Sequence, residues 1–121
     1  MARTVMVVDD SSGVRTLLRG ALEHAGFDVL EAGDGDAAID MLDGRLVSLV
    51  VCDLAMPRVD GLSFLRYLRQ HPRYRFTPLV VLSTETRPQV RDTARASGAQ
   101  AFINKPCTPA QLVSAVQRLC A

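Results

Sequence analysis

Asp9, Asp10, Asp53, Ser83 and Lys105 lie far apart in the sequence, yet each stands at or just past the end of a short apolar run. Val5-Met-Val-Val8 precedes the aspartate pair, and Leu46-Val-Ser-Leu-Val-Val-Cys52 precedes Asp53. Leu79-Val-Val-Leu82 leads to Ser83, and Ala101-Phe-Ile103 comes just before Lys105. Such runs read as buried parallel strands, and open α/β sheets bind their ligands beyond the carboxyl ends of the strands. Three carboxylates, a hydroxyl and an ammonium are therefore expected in one crevice. Two unit charges about 4 Å apart interact by about 4 kcal/mol at an effective dielectric of about 20. Three clustered carboxylates thus call for a cation, and an all-oxygen donor set open to water suits Mg²⁺. The chemistry this suggests is phosphoryl transfer to a carboxylate, with Asp53 as the acceptor. Mg²⁺, the Lys105 ammonium, the Ser83 hydroxyl and backbone N–H groups would share the charge of the phosphoryl oxygens.

The elements that must carry these residues follow from pattern. Strands are predicted near 4–8, 27–31, 46–52, 78–82 and 100–103, alternating with helices as repeated βαβ units around a parallel sheet. The first helix, about 12 to 25, carries Val14, Leu17, Leu18, Ala21, Leu22 and Ala25 at spacings of three and four, one apolar stripe, with Gly26 as its stop. The second runs from after Asp34 to about Asp43, before Gly44. The third follows Asp60 as N-cap, turns Leu62, Leu65 and Leu68 inward, and ends by Pro72. The fourth opens on Thr86-Arg-Pro-Gln89, a Thr-x-x-Gln capping box, and has only Val90, Ala94 and Ser97 to bury. A helix so poor in large apolar groups is the place where a conformational change costs little. The fifth opens on Thr108-Pro-Ala-Gln111, a second box with Pro at the first helical position, and buries Leu112, Ala115, Val116 and Leu119.

Composition narrows the function class. The 121 residues are expected to form one domain, and 48% hydrophobic residues suffice for its core. Fourteen Lys and Arg against 13 Asp and Glu leave no basic excess for nucleic acid. The Arg66, Arg69, Arg73 and Arg75 cluster reads as the solvated end of a helix and its loop. No apolar stretch approaches the roughly 18 to 20 residues that span a bilayer, and the N-terminus lacks a signal-peptide core. Cys52, Cys107 and Cys120 are odd in number and without metal-ligand spacing, which reads as free thiols in a reducing cytoplasm. Cys52 is expected to be a buried strand residue rather than a nucleophile.

Val8-Asp-Asp-Ser11, Asp53-Leu-Ala-Met-Pro57, Val59-Asp-Gly61, Ser83-Thr-Glu85, Gly98-Ala99 and Lys105-Pro106 occur in an order and spacing that cover nearly the whole chain. In these motifs the sequence resembles the receiver domains of two-component response regulators, most of all the single-domain chemotaxis regulators. The resemblance implies a flavodoxin-like α/β fold: a doubly wound five-stranded parallel sheet of order 2-1-3-4-5 with five helices. It implies phosphorylation of Asp53 by the phosphohistidine of a sensor histidine kinase. Similarity to the family assigns Asp10, Asp53 and the backbone carbonyl of Ala55 to Mg²⁺ directly and Asp9 mostly through water. It assigns Ser83 and Lys105 to the phosphoryl group, Met56 and Thr84 to its surroundings, and Phe102 to the switch aromatic that turns inward with Ser83. The sequence departs from the family at Thr84, where a small residue is usual, at Cys107, where Phe is common, and at Phe102, where Tyr is frequent.

The expected protein is a cytoplasmic monomer, residues 1–121 forming a single receiver domain without an output domain. It is expected to be a stoichiometric phosphoacceptor rather than an enzyme, with no nucleic-acid partner and no membrane insertion. Phosphorylation is expected to shift the face of the fourth helix, fifth strand and fifth helix toward an output protein, the flagellar motor switch in chemotaxis. A phosphorelay intermediate or phosphate sink is the alternative. A Mg²⁺-dependent aspartyl-phosphate hydrolase of the dehalogenase type is a distant one, because it needs a second Asp where Ala55 stands.

Overall fold

The computed structural model describes residues 3–54, 61–84 and 87–120, except the side chains of Gly61 and Leu62. Five strands form one parallel sheet: β1 (Thr4–Val8), β2 (Asp28–Ala32), β3 (Leu49–Asp53), β4 (Leu79–Ser83) and β5 (Ala99–Asn104). Their spatial order is β2-β1-β3-β4-β5, as the resemblance implies. Five helices alternate with them: α1 (Ser12–His24), α2 (Gly35–Leu42), α3 (Gly61–Gln70), α4 (Pro88–Ala96) and α5 (Pro109–Leu119).

The strands are apolar on both faces because helices cover both. Val5, Val7, Leu49, Val51, Val80 and Leu82 point to one side, against Leu18 and Leu22 of α1 and Leu112 and Val116 of α5. Met6, Val8, Val50, Cys52, Leu79 and Val81 point to the other, against Ala38 and Leu42 of α2, Phe64, Leu65 and Leu68 of α3, and Ala94 of α4. An irregularity in the β4–β5 pairing matches Leu79 to Ala99 but Val80 to Ala101, so Gln100 is an extra residue. The slip reverses the alternation along β5. Ala99 and Phe102, three apart, thereby pack on the α4 side, while Ala101 and Ile103 pack on the α5 side.

Side-chain capping explains the starts of α1, α2 and α5. Ser11 caps α1, its hydroxyl accepting from the Val14 N–H at 3.2 Å, and Gly26 follows the helix at φ +97°. Asp34 caps α2 through the Ala37 N–H at 2.8 Å. The Thr108–Gln111 box is complete at α5. At α4 the expected box is corrected. Its N-cap is Arg87, with no side-chain cap bond, and Pro88 opens the helix. Proline at the first turn suits that position, since it has no N–H to satisfy. Thr86 and Asp60, the other expected caps, lie outside the described residues. The expected stripe of α1 also needs correction, for Leu17 is 56% exposed. As expected for α4, its one buried residue is Ala94.

One residue of the Arg cluster, Arg69, is half-buried rather than at a fully solvated helix end. Arg69 donates from Nε to the Ser97 carbonyl, and from its two terminal nitrogens to the carbonyls of Tyr74, Arg75, Thr77 and Gly98, at 2.7–3.3 Å. The guanidinium has five donors in a fixed fork, which lysine cannot imitate. It fastens the α4–β5 turn to the segment entering β4. Gly98 makes room for it: φ is +101°, and a Cβ there would collide with the Arg69 side chain. Gly98→Ala is expected to cost about 2 kcal/mol of unfolding free energy from backbone strain and displacement of Arg69. Urea denaturation of both proteins checks this.

Candidate functional site

The carboxyl ends of β1, β3, β4 and β5 bring the predicted residues together. Asp9 and Asp10 follow β1, Asp53 ends β3, Ser83 ends β4, and Lys105 follows β5. Asp9, Asp53 and Ser83 are buried; Asp10 is exposed. One carboxylate oxygen from each of Asp9, Asp10 and Asp53 lies within 4.8 Å of the others. Lys105 Nζ reaches into this group, 2.7 Å from Asp9 Oδ2 and 2.9 Å from Asp53 Oδ2. The Lys105 N–H donates to the Ser83 carbonyl at 2.9 Å, which ties the lysine to the end of β4; the Lys105–Pro106 bond is cis.

The electrostatics follow from this packing. Two nearly dehydrated carboxylates would be costly without a counterion. Burial works against the Lys105 ammonium, but its hydrogen bonds to Asp9 and Asp53 outweigh that and hold its pKa above the ordinary lysine value. It is a cation throughout the physiological range. Cys52 behaves oppositely. Burial, with the charges of Asp53 and Asp9 behind it, pushes the thiol far above its usual range, and its Sγ donates to the Asp53 carbonyl at 3.2 Å. A thiol so hard to ionise is a poor nucleophile, in keeping with its reading as a core residue. Cys107 and Cys120 are free as well.

Asp9 is fixed on every side. Its N–H donates to the Ala32 carbonyl at 3.1 Å, Oδ1 accepts from the Ser11 N–H at 2.9 Å, and Oδ2 takes Lys105. Its own carbonyl accepts from Arg15 Nη1 at 2.7 Å. Arg15 carries no mark in the sequence, where it is one of two arginines on an amphipathic helix. Phe102, the expected switch residue, is half-buried between β5 and α4, with the Arg91 guanidinium 4.4 Å from its ring centre. Thr84 is exposed beside the site. It lines an apolar recess of about 360 Å³ with Val14, Leu17, Leu82, Pro106 and Cys107. Leu17 is therefore exposed because it borders this recess, at the edge of the stripe that Leu18 and Leu22 bury. Ala55 and Met56 lie outside the described residues.

The sequence family described as the response regulator receiver domain matches residues 5–117. The chain belongs to that family. Among solved structures, the receiver domain is similar to the chemotaxis response regulator CheY4 of Vibrio cholerae. Identity is 32%, the TM-score is 0.93, and the match covers 98% of this chain and 99% of that one. Among curated sequences it is 34% identical to an uncharacterized 14.6 kDa protein of Leptolyngbya boryana, covering 96% of this chain and 88% of that one. It is 31% identical to the phosphate regulon transcriptional regulatory protein PhoB of Escherichia coli, covering 97% of this chain and 51% of that one. The receiver domain thus spans about half the length of several curated relatives it matches.

Receiver domains use Mg²⁺ at an acidic pocket, and the acidic cluster here fits that ion. The donors are all oxygens, they come from separate backbone positions, and the exposed Asp10 leaves a side open to water. Mg²⁺ keeps several waters and takes only one or two carboxylates directly, so a partly open cluster suits it better than a closed cage. No described helix is long and apolar enough to cross a membrane.

Proposed function

We propose that Asp53 is the phosphoacceptor of a two-component signalling step, taking its phosphoryl group from a phosphohistidine of a sensor histidine kinase. The observation that carries this reading is the Lys105 ammonium, 2.9 Å from Asp53 Oδ2 at the rim of a three-carboxylate cluster. An Asp53 oxygen attacks phosphorus in line, the P–N bond breaks, and the electron pair leaves with the imidazole. The product is an acyl phosphate. Asp10 and Asp53, with Asp9 behind them, would hold a divalent cation, which would supply positive charge to the phosphoryl oxygens. Lys105 supplies a compact positive charge that can follow a phosphoryl oxygen, and the Ser83 hydroxyl a hydrogen-bond donor. Phosphoryl transfer asks for little more than this positioning and charge balance. The protein is a stoichiometric acceptor that assists its own modification.

The signal leaves through α4, β5 and α5. The new phosphoryl group competes for Lys105 and Ser83, and both are wired to β5: Ser83 pairs with Asn104 across the sheet, and the Lys105 N–H donates to Ser83. Phe102, two residues before Asn104, shares that strand and rests on the thinly packed α4. Shifting such an element from 1:99 to 99:1 takes about 5.5 kcal/mol, which a few charge-assisted contacts can supply in good part. Beside Phe102, Ala101, Ile103, Gln111, Ser114 and Arg118 border a groove of about 810 Å³, open to a partner. The partner is a protein, and the likeness to a chemotaxis protein points to the flagellar motor switch. The setting is cytoplasmic. Beryllofluoride, a phosphoryl mimic, is expected to raise affinity for the partner at least tenfold in a calorimetric titration. Equal affinity with and without it overturns the switch.

A further inference from the structure

Arg15 sits one turn into α1, and its side chain is only 20% exposed. Nη1 donates to the Asp9 carbonyl at 2.7 Å. Nε pairs with Glu31 Oε1 of β2 at 3.3 Å, and Glu31 Oε2 in turn holds Arg19 Nη1 at 2.8 Å. The guanidinium also lies over Gly33, where an added Cβ would stand 3.4 Å from Nη1. The arginine thus bridges the β1–α1 turn and the end of β2.

We propose that Arg15 is a positioning residue for the cation site, acting through the peptide that joins Asp9 to Asp10. This rests on the acidic cluster being the Mg²⁺ site. The Asp9 carbonyl and the Asp10 N–H belong to one planar peptide unit. Holding that carbonyl fixes the plane, and with it the direction in which Asp10 leaves the strand end. Asp9 has three other anchors, in Ala32, Ser11 and Lys105. Asp10 is exposed, and its direction depends on that peptide plane. Groups that orient metal ligands typically contribute 10- to 100-fold to metal affinity.

The sign of the effect separates positioning from simple charge. Arg15 is a cation near a site that binds a cation. If it acted only through its field, removing it would tighten Mg²⁺ binding. Positioning requires the reverse. Glu31 already offsets the Arg15 charge, so Glu31→Gln changes the field and keeps the grip on Asp9.

The experiment is a Mg²⁺ titration of the protein followed by amide NMR shifts, without any phosphodonor. Arg15→Ala is expected to weaken Mg²⁺ about tenfold, Arg15→Lys to recover part of the loss, and Glu31→Gln to stay within about twofold of wild type. Thermal unfolding in EDTA verifies that each variant is folded. If Arg15→Ala does not fold, Arg15→Gln, which keeps the stem but is too short for the carbonyl, carries the same expectation. Unchanged or tighter binding by the folded variant overturns the role of Arg15 alone. Failure of the wild-type protein to saturate overturns the cation site and this inference with it.

Discussion

Asp53→Asn takes up no phosphoryl group from acetyl phosphate in the presence of Mg²⁺, while the wild-type protein takes up one. The substitution is nearly isosteric, so the fold is preserved, but an amide oxygen is a far weaker nucleophile than a carboxylate and cannot form the anhydride. The change also removes one of the two negative charges that Lys105 holds. Burial of that charge is no longer required, so the variant is expected to be at least as stable as wild type without Mg²⁺. Loss of labelling together with retained or raised melting temperature separates chemistry from folding. Labelling of the variant at normal stoichiometry would mean that another residue is the acceptor.

Lys105→Ala is expected to move two quantities in opposite directions. The ammonium occupies oxygens of Asp9 and Asp53, which the cation would also use. Removing this competing charge is worth about 1.4 kcal/mol to a divalent ion at that range in a partly hydrated site, or about tenfold tighter Mg²⁺. The same ammonium is positioned to meet the charge of the transferring phosphoryl group. A preorganised donor of this kind is typically worth about 100-fold in rate. The phosphorylation rate at saturating Mg²⁺ should fall by about that factor. In EDTA the variant should melt below wild type, because two buried carboxylates then face each other uncompensated, and Mg²⁺ should restore much of the difference. Rate and metal affinity falling together would show that Lys105 props the site up rather than serving it as a charge.

Much of this arrangement is legible in the sequence because parallel α/β sheets leave little freedom. Apolar runs that end in Asp9, Asp53 and Ser83 become adjacent strands, so their last residues must meet at one rim. The α5 box is legible because Thr108 and Gln111 close on each other locally. At α4 the Thr86-x-x-Gln89 pattern points one residue too early. The proline, which favours the first turn, makes Arg87 the last residue before the helix. Other features depend on contacts distant in sequence. Arg69 looks like its solvated neighbours until Ser97 and Gly98 supply carbonyls from 28 and 29 residues away. The extra residue at Gln100 turns Phe102 toward α4, and neither propensity nor alternation announces it. Arg15 is invisible for a related reason, since its partner is a backbone carbonyl, which every residue possesses.

The most direct test is to treat the protein with acetyl phosphate and Mg²⁺, trap the product with borohydride and sequence its peptides by mass spectrometry. Borohydride reduces an acyl phosphate to the alcohol, converting the acceptor aspartate to homoserine. Homoserine is expected at position 53 and nowhere else, and none when EDTA replaces Mg²⁺. Homoserine at another aspartate would mean that Asp53 is not the acceptor, and the same yield in EDTA would mean that no cation takes part.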